Sequence, residues 1–342
     1  MKILHVCSGK GLGGTRTVFL SYQELFEAAG VYATPVVRSG AAVEAQLKGT
    51  GARDVEVLDY FRRYPIRWQK AYARMQHLAE THDVIWTHKP VDTYIWRQIA
   101  PNAKIVMVVH GFQNTNLKKA DCLIAVSNPV LAHLERKDLG NVFLIENFLA
   151  TPVTKHEIGW HIPIKISSFG FFRRKKGFTD LIKAVSILEQ KQECSRNFSV
   201  NIYGGGRLSA TLKLMKFWLR PKNLSINKWA DDVPALLRET DIVVIPSRSE
   251  SFSMIAIEAM SQGCLVVATK SGGPEFIITN NVDGILVEKL DPAGLAEAIF
   301  KCLQNPQDFT QMREKGRQTV AARFTVEKAM SSLKEILEAI AD

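Results

Sequence analysis

Two parallel α/β domains in series are what this sequence predicts, and three observations carry the expectation. A short β-branched run, a glycine-rich or polar turn and an amphipathic helix alternate from one end to the other. The stretch Ala150 to Pro163 breaks that rhythm, carries Pro152, Gly159 and Pro163, and reads as a linker. The 342 residues, 46% hydrophobic and 23% charged, suffice for two cores. The expected domains are residues 1–152 and 163–325. The amphipathic segment 326–342, with Met330, Leu333, Ile336, Leu337 and Ile340, packs either on the second domain or back on the first.

Strands are expected wherever apolar runs are too short for helices. In the first half these are 2–7, 33–37, 84–87, 105–109, 122–126 and 142–145; in the second, 164–169, 199–203, 224–227, 242–245, 265–268 and 285–287. Ligands of open parallel sheets bind outside the carboxyl ends of the strands, so two such sheets are expected to face a shared cleft. The loops after the strands therefore hold the informative residues.

The first such loop, Ser8 to Thr15, contains Gly13 and Gly14 and leads into a helix starting near Thr15. Glycines there let the backbone approach a phosphate or sugar, and serve a plain tight turn equally well. No acidic residue closes strand two and no Lys-Ser/Thr pair follows, so neither a dinucleotide fingerprint nor a Walker loop is present. Tyr60 to Gln76 interleaves five cations with Tyr64, Trp68, Tyr72 and Met75 at helical spacing and holds no acid. It fits an amphipathic helix on anionic lipid, or an ordinary packed helix beginning after Pro65. His88 ends a strand as a candidate acceptor contact. His110 follows another, either as a site residue or as a satisfied structural histidine.

In the second half, Gly170 to Gly177 joins a strand to a helix and carries Arg173, Arg174, Lys175 and Lys176, a group suited to a diphosphate. A second acid-free stretch runs from Arg207 to Lys228 around Phe217 and Trp218. Next, Ile242 to Ile245 reads as a buried strand ended by Pro246 and Ser247, with a helix from Met254 to Ser261 stopped by Gly263. The N–H groups of Ser251, Phe252 and Ser253 are expected as anion donors of its first turn. Glu250 and Glu258, two helical turns apart, are expected on one side. Glu275, in a glycine-rich turn, either sits near a ligand or caps the next helix.

Five scattered cysteines without a Cys-x-x-Cys pair read as free thiols of a reducing compartment. No apolar stretch approaches the ~20 residues of a membrane span, so a cytoplasmic location is expected, with peripheral attachment at the inner face of the membrane as the variant. The net charge of +10 favours anionic partners. Nucleic acid is not expected, because no nucleic-acid module accompanies the charge.

The order of these motifs strongly resembles the retaining GT-B glycosyltransferases, specifically glycosyltransferase family 4. The matching residues are Gly13-Gly14, Val109-His110-Gly111, Ala120-Asp121 with Ser127, Asn147, Gly170 with Lys176-Gly177, Asp232-Val233, Asp241 through Glu258-Ala259-Met260, Gly263, Gly272 to Glu275, and Asn281 with Gly284. The resemblance implies transfer of a sugar from a nucleoside-diphosphate sugar, such as a UDP-sugar, to an acceptor hydroxyl with retention, in lipopolysaccharide or polysaccharide biosynthesis. It implies Glu258 on the ribose hydroxyls, Glu250 at the donor sugar, Lys176 on the diphosphate, His110 at the donor sugar, and Gly13 and Gly14 in a loop over the same site. No cofactor is expected, and no metal, since no Asp-x-Asp motif or ligand-spaced cluster occurs. The partners are then the nucleotide sugar, a glycolipid or saccharide acceptor and an anionic membrane surface. One departure is Phe171, where the family has arginine; Arg173 or Arg174 is expected to substitute. A nucleotide-sugar epimerase of related fold and a non-catalytic binding protein remain the alternatives.

Overall fold

A computed structural model describes all residues except 10, 12, 50–53, 60–64, 113, 151–157, 192–196, 231 and 342. The chain divides into two compact units, Met1–Ala150 together with Thr325–Asp342, and Thr151–Phe324.

The first unit is built on seven parallel strands: β1 (Lys2–Cys7), β2 (Tyr32–Arg38), β3 (Glu56–Leu58), β4 (Val84–Thr87), β5 (Lys104–Val109), β6 (Cys122–Ala125) and β7 (Asn141–Leu144). Their order is β3-β2-β1-β4-β5-β6-β7. The short edge strand β3 escapes sequence reasoning because three residues with one glutamate carry no alternation to read. Ile3, Leu4, Val6, Ile85, Ile105 and Val108 are fully buried, as continuous apolar runs require in a sheet covered on both faces. The helix Val326–Ala341 belongs to this unit. It buries Leu333 and Ile336, the backbone bridges Leu149 to Thr325, and Lys104 Nζ donates to the Ile340 carbonyl.

The second unit carries β8 (Ile164–Phe171), β9 (Phe198–Gly205), β10 (Leu224–Asn227), β11 (Ile242–Ile245), β12 (Leu265–Thr269) and β13 (Ile285–Val287), in the order β10-β9-β8-β11-β12-β13. Strands β8 and β9 extend two residues beyond the expected ends, and Gly170 pairs with Gly204. In each sheet the winding reverses once, between β1 and β4 and between β8 and β11. Ligands of open parallel sheets bind outside the carboxyl ends of the strands at such reversals.

Candidate functional site

The segments leaving the carboxyl ends of β8 and β11 carry Arg173, Arg174, Lys176 and Glu250. From β8, the chain passes Arg173 and makes a 3₁₀ turn, Arg174–Lys176, before the helix Phe178–Glu189. From β11 it passes Pro246 and Ser247 to Glu250, whose extended backbone bridges Gly272 after β12. The two exits are in direct contact. Gly177 adopts φ +66°, and a Cβ there would lie 1.7 Å from the Pro246 carbonyl oxygen, so only glycine lets the turn seat this closely. Arg248 N–H donates to the Lys175 carbonyl at 2.7 Å, and the Arg248 guanidinium holds Asp180 through Nε (2.9 Å) and a second nitrogen (2.7 Å).

This docking brings Lys176 onto Glu250. The ammonium donates to Glu250 Oε1, which also accepts from Ser247 Oγ at 2.8 Å. Glu250 is 8% exposed, so the carboxylate is fixed on two donors in a largely dehydrated setting. Two hydroxyls, one three residues on and one on the residue whose carbonyl accepts from the Glu250 N–H, have no such partner. Ser253 Oγ and Ser271 Oγ are buried without a hydrogen bond among the described residues, each side chain belonging to a residue 7% exposed. Ser253 also holds a left-handed backbone, φ +100°, as N-cap of the helix Met254–Ser261. Strain and orphaned hydroxyls at one turn mark a place arranged to meet something polar.

Three expectations need correction here. Glu250 lies outside the helix, in a bridge, so the two-turn spacing to Glu258 does not apply; the partly exposed Glu258 instead shares a helical face with Met254, four residues earlier. The first-turn donors also move downstream. The helix starts at Met254, which makes the N–H groups of Met254 and Ile255 its leading donors, while Ser251 and Phe252 precede the cap. Phe252 is a core residue, edge-on to Phe324 at 5.6 Å.

The cations of the 170–177 loop part company. Lys176 turns to Glu250, whereas Arg173 and Arg174 line a pocket of about 210 Å³ with Thr179, Thr211 and Arg248. Phe171 packs edge-on to Trp229 (4.6 Å between ring centroids) and carries the Arg173 guanidinium over its other side at 4.9 Å. Arg248 is the functional candidate that sequence reasoning passes over. Its only signal was an arginine two residues before Glu250 at a strand exit. Glu275 accepts from the Gly272 N–H and so pins the turn that Glu250 bridges.

In the first unit, Gly13 is the extended N-cap of the helix Gly14–Ala28, which opens one residue before Thr15. His110 stands just beyond β5, partly exposed, at the end of a histidine chain. Gln23 Nε2 donates to the Ala33 carbonyl (3.1 Å), which turns its Oε1 toward His5 Nδ1 (2.9 Å). His5 Nδ1 must therefore donate and His5 Nε2 accept, here from His88 Nε2 at 2.8 Å. His88 Nδ1 then accepts from His110 Nε2 at 3.1 Å. Every proton in the chain is thus assigned from one backbone carbonyl, and His110 is held as the Nε2–H tautomer. Burial lowers His5 to about 3, Gln23 opposing; it lowers His88 well below the usual value, with His5 and His110 adding to it; and it lowers His110 to about 4, with the Lys89 charge adding to it. His88 is 1% exposed between two rings, which removes it as an acceptor contact.

The described part of the basic segment follows the packed-helix reading. Tyr60 to Tyr64 lie outside the described residues, as do the side chains of Arg67 and Trp68; in the helix Pro65–Thr81, Ala71, Met75 and Leu78 are buried in the core and Arg74 pairs with Glu56. Four cysteines, Cys7, Cys122, Cys264 and Cys302, are free and buried, and Cys194 lies outside the described residues. No helix among the described residues is long and apolar enough to cross a membrane.

Residues 161–319 match the family described as Glycosyl transferases group 1. That match spans most of the second unit. The chain as a whole has the GT-B fold. Anabaena HepE, solved with UDP and glucose, superposes with a TM-score of 0.83 at 19% identity, covering 99% of this chain and all of that one. The lipopolysaccharide outer core galactosyltransferase WaaB superposes with 0.70 at 14% identity, covering 99% of each chain. Among sequences, the lipopolysaccharide core biosynthesis glycosyltransferase LpsE of Rhizobium meliloti is 26% identical over 98% of this chain and 99% of its own. An uncharacterized glycosyltransferase of Methanocaldococcus jannaschii is 26% identical over 65% of this chain, which spans 61% of its length.

Proposed function

We propose that this group 1 glycosyltransferase transfers a sugar from a nucleoside-diphosphate sugar, of the UDP class, to a hydroxyl of a saccharide or glycolipid acceptor in envelope polysaccharide assembly, with retention at the anomeric carbon. The observation that carries the reading is Glu250, fixed by Lys176 and Ser247 at the switch point of the second sheet, beside two unpartnered buried hydroxyls. The LpsE relative supports the envelope role, and the UDP complex of HepE supports the donor class.

In this reading the diphosphate lies against the N–H groups of Met254 and Ile255. Lys176 meets the charge that grows on it as the bond to the anomeric carbon breaks. Arg173 and Arg174, beside Arg248, add further cations and stand in for the arginine that Phe171 replaces. Glu250 orients the donor sugar, and Glu258 takes two hydroxyls of the ribose. The acceptor oxygen attacks the face the phosphate leaves, passing its proton to the departing phosphate oxygen. In the first unit, His110, neutral and of fixed tautomer, and the backbone at Gly13 and Gly14 are the groups proposed to meet a sugar. Metal is not required, because cations and N–H groups carry the phosphate charge.

Incubating the protein with UDP-sugars, acceptor and excess chelator, and following products by NMR, tests the reading. Retained configuration with full activity is expected; inversion, loss on chelation, or epimerised sugar from donor alone overturns it. Glu250→Gln is expected to lower kcat about 10²-fold or more with UDP affinity nearly unchanged.

A further inference from the structure

The helix Ser209–Leu219 is fastened to the second unit along one side only. Leu212 is fully buried and Met215 packs partly against the core, while Arg220, with φ +49°, ends the helix through its N–H on the Lys216 carbonyl. On the opposite side, Leu214, Phe217 and Trp218 fall at positions i, i+3 and i+4. They are 56, 65 and 73% exposed, and the two rings meet edge to face at 6.1 Å. Leu219 adds a 40% exposed side chain at the end of the helix. Large aromatic side chains standing this far into water, contiguous and on a rigid element, are costly to keep unless something covers them.

Charge selects the covering partner. Lys213, Arg220 and Lys222 are exposed beside the apolar stripe, with Arg207 just before the helix, and no acid occurs from Arg207 to Ala230. The nearby carboxylate of Glu189 is engaged by the N–H groups of Lys222 and Asn223. An apolar stripe with an aromatic pair, bordered by cations alone, matches the boundary between acyl chains and anionic headgroups. A protein partner or a second copy would need acids to match the cations, and this chain's surplus is basic.

We propose that the Ser209–Leu219 helix is a membrane-docking face, seating Leu214, Phe217 and Trp218 at the headgroup level of an anionic bilayer while Lys213, Arg220 and Lys222 meet lipid phosphates. It differs from the stretch Tyr60 to Gln76 considered for lipid contact, where Ala71 and Met75 face the core. The docking face does not depend on the sugar chemistry proposed above.

Sedimentation with vesicles of equimolar phosphatidylglycerol and phosphatidylcholine tests it, against vesicles of phosphatidylcholine alone. The full chain is expected to bind the anionic vesicles at low salt. The triple variant Leu214→Ser/Phe217→Ser/Trp218→Ser is expected to bind at least ~10-fold more weakly, and Lys213→Glu/Lys222→Glu several-fold more weakly. Brominated lipid is expected to quench wild-type tryptophan fluorescence, with that part lost in Trp218→Phe, a change that leaves the surface apolar. Absence of binding, equal binding to neutral vesicles, or binding indifferent to the triple variant overturns the proposal. So does a dimer, seen by ultracentrifugation, that the triple variant abolishes while wild type ignores vesicles.

Discussion

Gly177→Ala should damage this molecule far more than an alanine usually does, and the structure sets the scale. The residue sits at φ +66°, where any side chain costs about 1–2 kcal/mol. That part has a matched control: Gly30 has φ +67° and nothing within 4 Å of its would-be Cβ. At Gly177 the same Cβ meets the Pro246 carbonyl oxygen at 1.7 Å, so an ordinary contact of 3.4 Å requires the β8 and β11 exits to part by about 1.7 Å. Such a movement breaks the 2.7 Å bond from Arg248 N–H to the Lys175 carbonyl, worth ~1 kcal/mol, and draws Lys176 from a nearly buried Glu250. The combined loss is at least ~3 kcal/mol. For a unit of this size that lowers the transition by about 6–12 °C, against about 2–8 °C for the strain alone in Gly30→Ala. Calorimetry on both variants, with UDP binding by titration, reads the difference. If Gly177→Ala unfolds no earlier than Gly30→Ala and binds UDP as wild type does, the tight seating of the two exits is wrong.

Other outcomes follow from the same geometry. Arg173→Ala/Arg174→Ala is expected to weaken UDP binding about 10-fold or more, measured by titration at fixed salt, with the melting temperature unchanged because both side chains are exposed. Asp180→Asn should instead act through the Arg248 guanidinium it holds, lowering stability by ~1–3 kcal/mol in urea unfolding. In acid, His5 and His88 stay neutral in the folded state but charge in the unfolded one. Stability is therefore complete above the unfolded value near 6.5 and falls as pH drops toward 4, by up to ~1.4 kcal/mol per pH unit for each ring. Melting curves from pH 7 to 4.5 show this slope, and it flattens in His5→Phe. Two-bond nitrogen-proton spectra of the imidazoles are expected to show His110 protonated on Nε2, with Gln23→Leu releasing that preference; an Nδ1–H tautomer in the wild type contradicts the chain of donors.

Much of the fold was legible because parallel strands buried on both faces must be apolar throughout. Ile242–Ile245 and Val84–Thr87 announce themselves by composition alone. Glu56–Leu58 does not, since a short edge strand owes its place to the neighbour it pairs with. For the candidate site, local spacing misjudges the relation between two of its residues. Glu250 and Glu258 sit at helical spacing, yet the bridge to Gly272, a partner 22 positions away, holds Glu250 in extended backbone. The same limit explains Arg248 and the histidine chain. Arg248 matters through Asp180, and His110 is fixed through Gln23, His5 and Ala33; sequence separation hides each of these contacts. Tyr72 and Met75 show why two readings stood side by side, because a stripe at helical spacing reads alike whether it meets lipid or the core.

The first unit is assembled from residues on both sides of the second, which is one uninterrupted stretch between them. A ribosome making this protein therefore releases a complete second unit before the first has received its last helix. Leu333 and Ile336 emerge only after that unit, and until they do the surface they cover stays wet. Premature termination near residue 325 would thus leave the second unit whole and injure the first.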